Sequence, residues 1–227
     1  ANKGIGKETA RQLIAAGHTV YLGARNEQHG QTTAKELGAH YIHLDVTNDT
    51  SITTALTHIT TTNGGLDILI NNAGIEGRTA DNRVVGPADE TADHMREIFE
   101  TNVFGLIRVT HAFLPLLQRS PAPVIVNLSS GLGSLTGLSD PDSFIHFYAG
   151  IAYPASKTAV NVITVQLAKA FPGIRVNAVD PGYTKTDLNG NEGVQTVAEG
   201  AELVVRMAQI GADGPTGQLV SAQPVAW

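Results

Sequence analysis

The chain has 227 residues, of which 42% are hydrophobic and 16% charged, a composition typical of a globular protein with a substantial core. The formal net charge is −6, so we expect neither nucleic acid nor a membrane as a partner. Cysteine is absent, which excludes disulfides, thiol catalysis and cysteine-ligated zinc and fits a cytoplasmic location.

Short apolar runs alternate with longer amphipathic ones along the chain. The pattern predicts a helix over residues 8–16 that ends at Gly17, a long helical stretch over 92–118 that is broken near Pro115, and a helix over 153–170. Residues 60–65 read as a helix end and a loop. Strands are predicted over residues 19–24, 41–44, 66–71, 123–128, 174–179 and 218–220.

This alternation predicts the fold class. Strands rich in β-branched residues, without polar alternation, favour a parallel sheet that is covered by helices on both faces. With neither an internal repeat nor a linker in the sequence, we expect one doubly wound, Rossmann-type α/β domain over residues 1–227.

A glycine-rich turn opens the sequence. The run Asn2-Lys3-Gly4-Ile5-Gly6 leads directly into the first helix, as in turns that place backbone N–H groups and a helix N-terminus against a pyrophosphate. Glycines before helices also occur in ordinary turns. A phosphate-binding turn of this kind follows a strand, so we expect that the first strand is missing from the given chain.

A cation follows the strand at residues 19–24. An acidic residue at this point binds the ribose 2′-hydroxyl of NAD, whereas Arg25 suits the 2′-phosphate of NADP. Lys3 adds a second cation from the opposite side. The alternative is that both side chains are solvated surface cations. Two cations at the positions expected to flank one phosphate nevertheless favour NADP(H) as the cofactor.

A candidate proton-transfer group lies near the middle of the chain. Tyr153 and Lys157 are four residues apart on a predicted helix and therefore share one face. A nearby cation lowers a tyrosine pKa towards the working range of an acid–base catalyst. The serines at the end of the 123–128 strand supply a hydroxyl for a substrate oxygen. The alternative is a partly exposed aromatic residue beside a solvated charge.

The ordered motifs resemble the short-chain dehydrogenase/reductase family over essentially the whole chain, and within it the NADPH-dependent carbonyl reductases. The resemblance rests on the glycine turn, Gly23-Ala24-Arg25, the Tyr153-x-x-x-Lys157 pair and the C-terminal segment GPTGQLVSAQPVAW. It also includes Asp45-Val46, Asn71-Asn72-Ala73-Gly74, Asn102, Ser130 and Pro181-Gly182.

The resemblance implies a role for each motif. Asp45 and Val46 would contact the adenine, and Asn72-Ala73-Gly74 would pass under the cofactor. Pro181, Gly182, Thr184 and Thr186 would lie at the nicotinamide.

Tyr153 would protonate the developing alkoxide, Ser130 would hydrogen-bond the same oxygen, and Lys157 would bind the nicotinamide ribose and lower the pKa of Tyr153. Asn102 would interrupt a helix and hold a water for proton relay to Lys157. The alternative is that this asparagine is only a polar residue tolerated in the middle of a helix.

Two neighbouring side chains compete for these roles. The resemblance selects the second of the paired serines, and Ser129 and Ser130 point to opposite faces of an extended strand, so only one of them reaches the site. Tyr148 is a rival phenol, but it lacks a lysine four residues further on.

The segment between Ser130 and Tyr153 is longer than in the family's shortest members. Its apolar residues predict either a flap that favours hydrophobic carbonyl substrates or side chains that only anchor a loop; they are Leu135, Leu138, Phe144, Ile145, Phe147, Tyr148 and Ile151. The length of this segment leaves monomer and homo-oligomer equally open.

The leading hypothesis is an NADPH-dependent carbonyl reductase. The alternatives are a reductase for one biosynthetic oxo-intermediate and a non-catalytic NADP(H)-sensing protein, although the latter usually lacks the serine, tyrosine or lysine. The eight histidines show no metal-ligand spacing, and we assign no metal.

Overall fold

The computed structural model describes residues 1–222 and residue 227. Residues 223–226, which belong to the C-terminal segment of the family resemblance, lie outside the described residues.

Helices and strands alternate along the chain. The helices are α1 (Gly4–Ala15), α2 (Glu27–Leu37), α3 (Asp49–Thr62), α4 (Ala92–Phe99), α5 (Gly105–Leu117), α6 (Leu135–Ser139), α7 (Ala152–Ala170) and α8 (Val197–Ala208). The strands are β1 (Tyr21–Ala24), β2 (His40–His43), β3 (Ile68–Asn71), β4 (Val124–Leu128), β5 (Arg175–Asp180) and β6 (Leu219–Ser221).

Local sequence determines where several helices begin. The side chains of Asn26, Asn48 and Thr91 accept hydrogen bonds from backbone N–H groups in the first turns of α2, α3 and α4. Helix α2 ends at Gly38, which has a φ of 75° and so adopts the left-handed conformation that favours glycine.

All strand pairs in the described residues are parallel. Strand β1 pairs with β2, and β3, β4, β5 and β6 pair in that order. Helices α1 and α8 pack on one face of the sheet through a core that includes Leu13, Val204 and Met207. On the other face, α3, α5 and α7 contribute side chains such as Ile52, Phe113 and Ala168. The predicted fold class, a doubly wound parallel α/β sheet, is confirmed.

The sheet differs from the prediction in its continuity. Strands β1 and β3 do not pair; they line a cavity of about 480 Å³ together with apolar side chains such as Leu22, Leu69 and Phe113. Within the described residues the hydrogen bonding therefore forms two sheets instead of one.

The long helical stretch is interrupted at a different place from the predicted one. Helix α5 continues through Pro115 to Leu117, and the interruption is a π-helical turn at Glu100–Phe104. Because proline has no backbone N–H, the helix continues through Pro115 at the cost of one hydrogen bond to the carbonyl four residues earlier. The predicted break near Pro115 is thus wrong, and the break lies at Asn102.

Candidate active site

A cavity of about 1200 Å³ opens at the carboxyl edge of the sheet. In parallel α/β sheets this edge is where ligands bind, because the loops that follow the strands converge there. Apart from Asn102, every residue predicted for cofactor binding or catalysis lines this one cavity. They are Asn2, Lys3, Gly4, Ile5, Gly6, Arg25, Asp45, Val46, Asn72, Ala73, Gly74, Ser130, Tyr153, Lys157, Pro181, Gly182, Thr184 and Thr186.

Helix α7 presents Tyr153 and Lys157 to the cavity from its first two turns. The Lys157 ammonium lies 5.5 Å from the centroid of the Tyr153 ring and donates a 2.8 Å hydrogen bond to the Leu128 carbonyl at the end of β4. Lys157 is 4% exposed, so its charge is held in the interior by the helix and the strand together.

The pKa values of these two groups differ from the expectation. Burial raises the pKa of Tyr153, the charges of Glu76 and Asp180 raise it further, and the hydrogen bond from Ser130 acts in the opposite direction. Burial lowers the pKa of Lys157 to about 8, and Asp180 opposes this shift. The expectation that Lys157 lowers the Tyr153 pKa is not met here, because burial and two carboxylates dominate. Tyr153 is therefore a protonated phenol at neutral pH.

The paired serines after β4 have different surroundings. Ser130 lines the cavity, and its hydroxyl accepts a 3.2 Å hydrogen bond from the Leu132 amide. Ser129 is 3% exposed, and its hydroxyl donates a 2.6 Å bond to Asn161 on α7. Both serines line the cavity, but the Ser129 hydroxyl is bonded to Asn161 in the core.

Asn102 lies in the π-helical turn and is 2% exposed. Its side-chain oxygen accepts from the Ile75 amide at 2.8 Å, and its nitrogen donates to the Ile75 carbonyl at 2.9 Å and to Ser156 at 3.0 Å. The side chain therefore joins the loop after β3 to helix α7. Asn102 does not line the cavity, so the structure places it behind the loop instead of at the ligand.

The two predicted phosphate-binding cations, Lys3 and Arg25, line the same cavity but have different surroundings. The Lys3 ammonium forms a 2.9 Å ion pair with Asp187 in the loop after β5, and both side chains are largely exposed. Arg25 is exposed at the end of β1, and its charge helps to lower the pKa of Asp45, after the hydrogen bond from the Thr47 amide, which is the largest cause.

Close contacts explain two of the glycines. A Cβ at Gly6 would lie 2.6 Å from the Asn72 side chain, so glycine permits α1 to approach the end of β3. Gly4 has a φ of 55°, and a Cβ there would face the Thr186 side chain at 3.5 Å. The glycine turn and the loop after β5 thus lie side by side at the cavity.

The loop after β5 is stabilised by its own side chains. Thr184 is 3% exposed and its hydroxyl accepts from Gln195 at 2.8 Å, while Asn189 donates to the Thr184 carbonyl at 2.9 Å. Gly182 has a φ of 77°, which a residue with a side chain rarely adopts. The Pro181–Thr186 segment is thereby held at the cavity wall.

The segment after β4 forms the remaining wall. Phe144 and Phe147 are each 77% exposed and line the cavity with Ile145 and Tyr148. This placement agrees with the flap interpretation of the segment.

The sequence analysis missed a polar cluster in the same wall. Glu76 follows the Asn72-Ala73-Gly74 motif, is 9% exposed and pairs with Arg78, and the Tyr148 phenol donates to it at 3.0 Å. An acidic residue in the loop after β3, five residues beyond the end of the strand at the ligand-binding edge, was the available signal for Glu76. Tyr148 was set aside because only its missing lysine was considered.

Two findings concern other site types. Among residues 1–222 and 227, no three His, Asp or Glu side chains lie close enough together to hold a metal ion. In the same part of the chain, no helix combines the length and the apolar character needed to cross a membrane.

Comparison with known proteins gives consistent matches. A family model described as short chain dehydrogenase matches residues 1–196. A (+)-neomenthol dehydrogenase of Capsicum annuum is 33% identical, with 95% of this chain and 91% of the relative covered. A salutaridine reductase of Papaver bracteatum is 31% identical, with coverages of 95% and 90%. The crystal structure of an NADPH-bound carbonyl reductase from chicken fatty liver superimposes with a TM-score of 0.87 at 26% identity, covering 100% of this chain and 96% of that one.

The fold and the site together define a class of protein. A doubly wound parallel sheet whose carboxyl edge carries a glycine turn and a Ser–Tyr–Lys group in one cavity is typical of oxidoreductases that use a dinucleotide. The match of the family model over residues 1–196 specifies the class further. The chain belongs to the short-chain dehydrogenase/reductase family.

Proposed function

We propose that the protein is an NADPH-dependent reductase that converts a ketone or aldehyde to an alcohol. The observation that carries this proposal is the shared cavity: Ser130, Tyr153 and Lys157 line the same space as the glycine turn and Arg25. A carbonyl group held at Tyr153 therefore shares one enclosed volume with the residues suited to bind a dinucleotide.

The residues present fit NADP(H). Gly4 and Gly6 keep side chains out of the space beside the α1 N-terminus, where backbone N–H groups favour a pyrophosphate. Lys3 and Arg25 would hold the 2′-phosphate, and Asp45 and Val46 the adenine. The small residues Asn72, Ala73 and Gly74 would lie under the cofactor. Pro181, Gly182, Thr184 and Thr186 would hold the nicotinamide, and Lys157 its ribose.

The chain's own residues manage the proton. The bound cofactor supplies the hydride to the carbonyl carbon. Ser130 donates a hydrogen bond to the carbonyl oxygen and stabilises the negative charge that develops there. Tyr153, a protonated phenol because burial raises its pKa, gives its proton to that oxygen and completes the alcohol. The Lys157 ammonium then lies close to the phenolate that remains.

The flap favours apolar substrates. Phe144 and Phe147 provide a large apolar surface beside the catalytic group, which suits the hydrocarbon part of a hydrophobic ketone. The names of the relatives, a neomenthol dehydrogenase and a carbonyl reductase, support alcohol–carbonyl chemistry for this chain.

The test is NADPH oxidation against a panel of aldehydes, cyclic and aromatic ketones, quinones and oxoacyl thioesters, with NADH as the cofactor control. We expect turnover with hydrophobic ketones or aldehydes and a lower rate with NADH. Tight NADPH binding without turnover of any member would refute the reductase and favour an NADP(H)-sensing protein. Turnover of a single oxo-compound would identify a dedicated biosynthetic reductase.

A further inference from the structure

A buried ion pair lies in the loop after β3, outside the Ser–Tyr–Lys group. The Arg78 Nε donates to Glu76 Oε2 at 3.0 Å and Nη2 donates to Oε1 at 3.3 Å, with the two side chains 12% and 5% exposed. The remaining nitrogen, Nη1, donates to the Asn82 carbonyl at 3.1 Å and to Glu192 at 3.0 Å. The two-point contact fixes the Glu76 carboxylate in place, and a carboxylate can only accept hydrogen bonds.

The Tyr148 phenol completes this cluster from the flap. Its hydroxyl donates a 3.0 Å hydrogen bond to Glu76 Oε1. Burial raises the pKa of Tyr148, and the Glu76 charge raises it further, so the phenol stays protonated. A phenol has one hydrogen to donate and oxygen lone pairs with which to accept. Because Glu76 takes the hydrogen, the Tyr148 oxygen is left as an acceptor.

Gly150 provides the space that Tyr148 occupies. A Cβ at position 150 would lie 2.8 Å from Tyr148 Cε1, 3.2 Å from its hydroxyl oxygen and 2.8 Å from Val84 Cγ1. Contacts below 3.0 Å force a displacement, so an alanine at this position would move the Tyr148 ring.

Tyr148 and Tyr153 line the same cavity. The two phenols have opposite hydrogen-bonding characters. Tyr153 has a hydrogen to give to the carbonyl oxygen, whereas Tyr148 has only lone pairs to offer. A substrate that satisfies both therefore carries a carbonyl oxygen at one point and a hydrogen-bond donor at another.

We propose that Tyr148 is a specificity-determining residue that selects ketones carrying a second, hydrogen-bond-donating group, a hydroxyl or an ammonium, and that Glu76 is the residue that positions it. This proposal rests on the proposed carbonyl reduction and adds the class of substrate. Glu76 acts through Tyr148, because it holds the phenol hydrogen away from the substrate.

The experiment compares matched cyclic ketones with the wild-type enzyme and NADPH. The 2-, 3- and 4-hydroxycyclohexanones are each measured against the corresponding methyl ether, which keeps the oxygen but lacks the hydrogen, and against cyclohexanone. We expect one hydroxy ketone to exceed its ether in kcat/KM by about five- to tenfold, the range of one net hydrogen bond. The compound 4-aminocyclohexanone tests an ammonium group in place of the hydroxyl. If its kcat/KM exceeds that of cyclohexanone by more than the hydroxy ketones do, the preferred substrate is a cation.

Variants assign the preference to the cluster. Tyr148→Phe should remove the hydroxyl-over-ether ratio while cyclohexanone reduction persists. Glu76→Gln should lower or invert the ratio, because an amide whose oxygen faces Arg78 turns its NH₂ towards the phenol and frees the phenol hydrogen. Gly150→Ala should lower the ratio by displacing the ring. Tyr21→Phe, which removes a phenol bonded to Thr62 away from this site, should leave the ratio unchanged.

The outcomes separate this proposal from the proposed function. Reduction of cyclohexanone with equal rates for hydroxy ketones and ethers, or a ratio that survives in Tyr148→Phe, overturns the role of Tyr148 and leaves the reductase intact. If no ketone is reduced, the proposed function fails. In that case, calorimetric titration of the hydroxy ketones and ethers into the NADP⁺ complex tests Tyr148 by itself. Tighter binding of a hydroxy ketone than of its ether that is lost in Tyr148→Phe supports the acceptor site. Equal binding of the two, or no binding, overturns it.

Discussion

The ammonium of Lys3 lies 2.9 Å from the carboxylate of Asp187, and this ion pair joins the glycine turn before α1 to the loop after β5. Lys3 is also one of the two cations proposed to hold the cofactor 2′-phosphate. Under this proposal the same cation has two competing anions, Asp187 in the protein and the 2′-phosphate in the ligand.

The competition predicts the effect of Asp187→Asn. With the carboxylate removed, Lys3 becomes available to the phosphate, and we expect NADPH to bind about two- to fivefold more tightly, since exposed ion pairs contribute at most about 1 kcal/mol. The measurement is a fluorescence titration of NADPH at low salt. NADH, which lacks the phosphate, is the control and should show no such gain. Unchanged NADPH affinity would show that the ion pair does not compete.

Arg25→Asp tests cofactor selection. Replacing the cation with a carboxylate removes a charge-assisted contact and introduces repulsion, so the ratio of kcat/KM for NADPH to that for NADH should fall about ten- to hundredfold. Arg96→Asp makes the same charge change on an exposed Arg outside the cavity and is the matched control. A preserved NADPH preference in Arg25→Asp would remove Arg25 from this role.

Tyr153→Phe removes the proton donor and little else. We expect kcat to fall by about 10²- to 10⁴-fold, the usual contribution of a positioned acid, while NADPH affinity stays within about twofold. Stopped-flow turnover and cofactor titration on the same preparation separate the two effects. Near-wild-type ketone reduction by this variant is incompatible with the mechanism.

The pH dependence follows from Lys157. Its pKa is lowered to about 8 by burial, so the ammonium predominates below pH 8 and is lost above it. Since that ammonium lies beside the phenolate formed during reduction, kcat/KM for reduction should decline as the pH rises through about 8. Tyr153 does not cause this decline, because its own pKa is raised. In Lys157→Arg the guanidinium stays protonated, so the residual activity should lose the inflection; its persistence would assign it to another group.

The two serines should separate catalysis from stability. Ser130→Ala removes the hydroxyl at the carbonyl oxygen and should lower kcat by about 10²- to 10³-fold with little change in Tm. Ser129→Ala leaves the buried Asn161 oxygen without its 2.6 Å donor and should lower the free energy of unfolding by about 1–3 kcal/mol. Urea denaturation and steady-state kinetics on both variants give the comparison. Equal kinetic losses would contradict the assignment of Ser130.

Local pattern was sufficient for the fold, and the family resemblance supplied much of the cavity wall. The β-branched runs predicted β4 and β5 to within a residue, the glycine turn before α1 predicted the cavity at Gly6, and the resemblance implied it at Gly74. These features depend on residues that are near each other in sequence. The predicted break near Pro115 was wrong, because proline signals a break wherever it stands; the observed break contains Asn102, where the family resemblance implied an interruption, and Asn102 bonds to Ile75.

The contacts that were missed join distant parts of the chain. Tyr148 meets Glu76 across 72 residues, and Lys3 meets Asp187 across 184 residues. No spacing rule relates such positions, and each side chain alone resembles an ordinary surface or loop residue. The raised pKa of Tyr153 was missed for the same reason, since it depends on burial and on the charges of Glu76, in the loop after β3, and Asp180, at the end of β5.

The hydrogen bonds that hold Tyr153 in place are independent of the segment between Ser130 and Tyr153. The Ser156 hydroxyl donates to the Tyr153 carbonyl at 2.7 Å and accepts from Asn102, which in turn grips both backbone groups of Ile75. None of these bonds uses residues 131–151. The proposed flap can therefore change in length or sequence without loss of the hydrogen bonds that anchor the proposed proton donor.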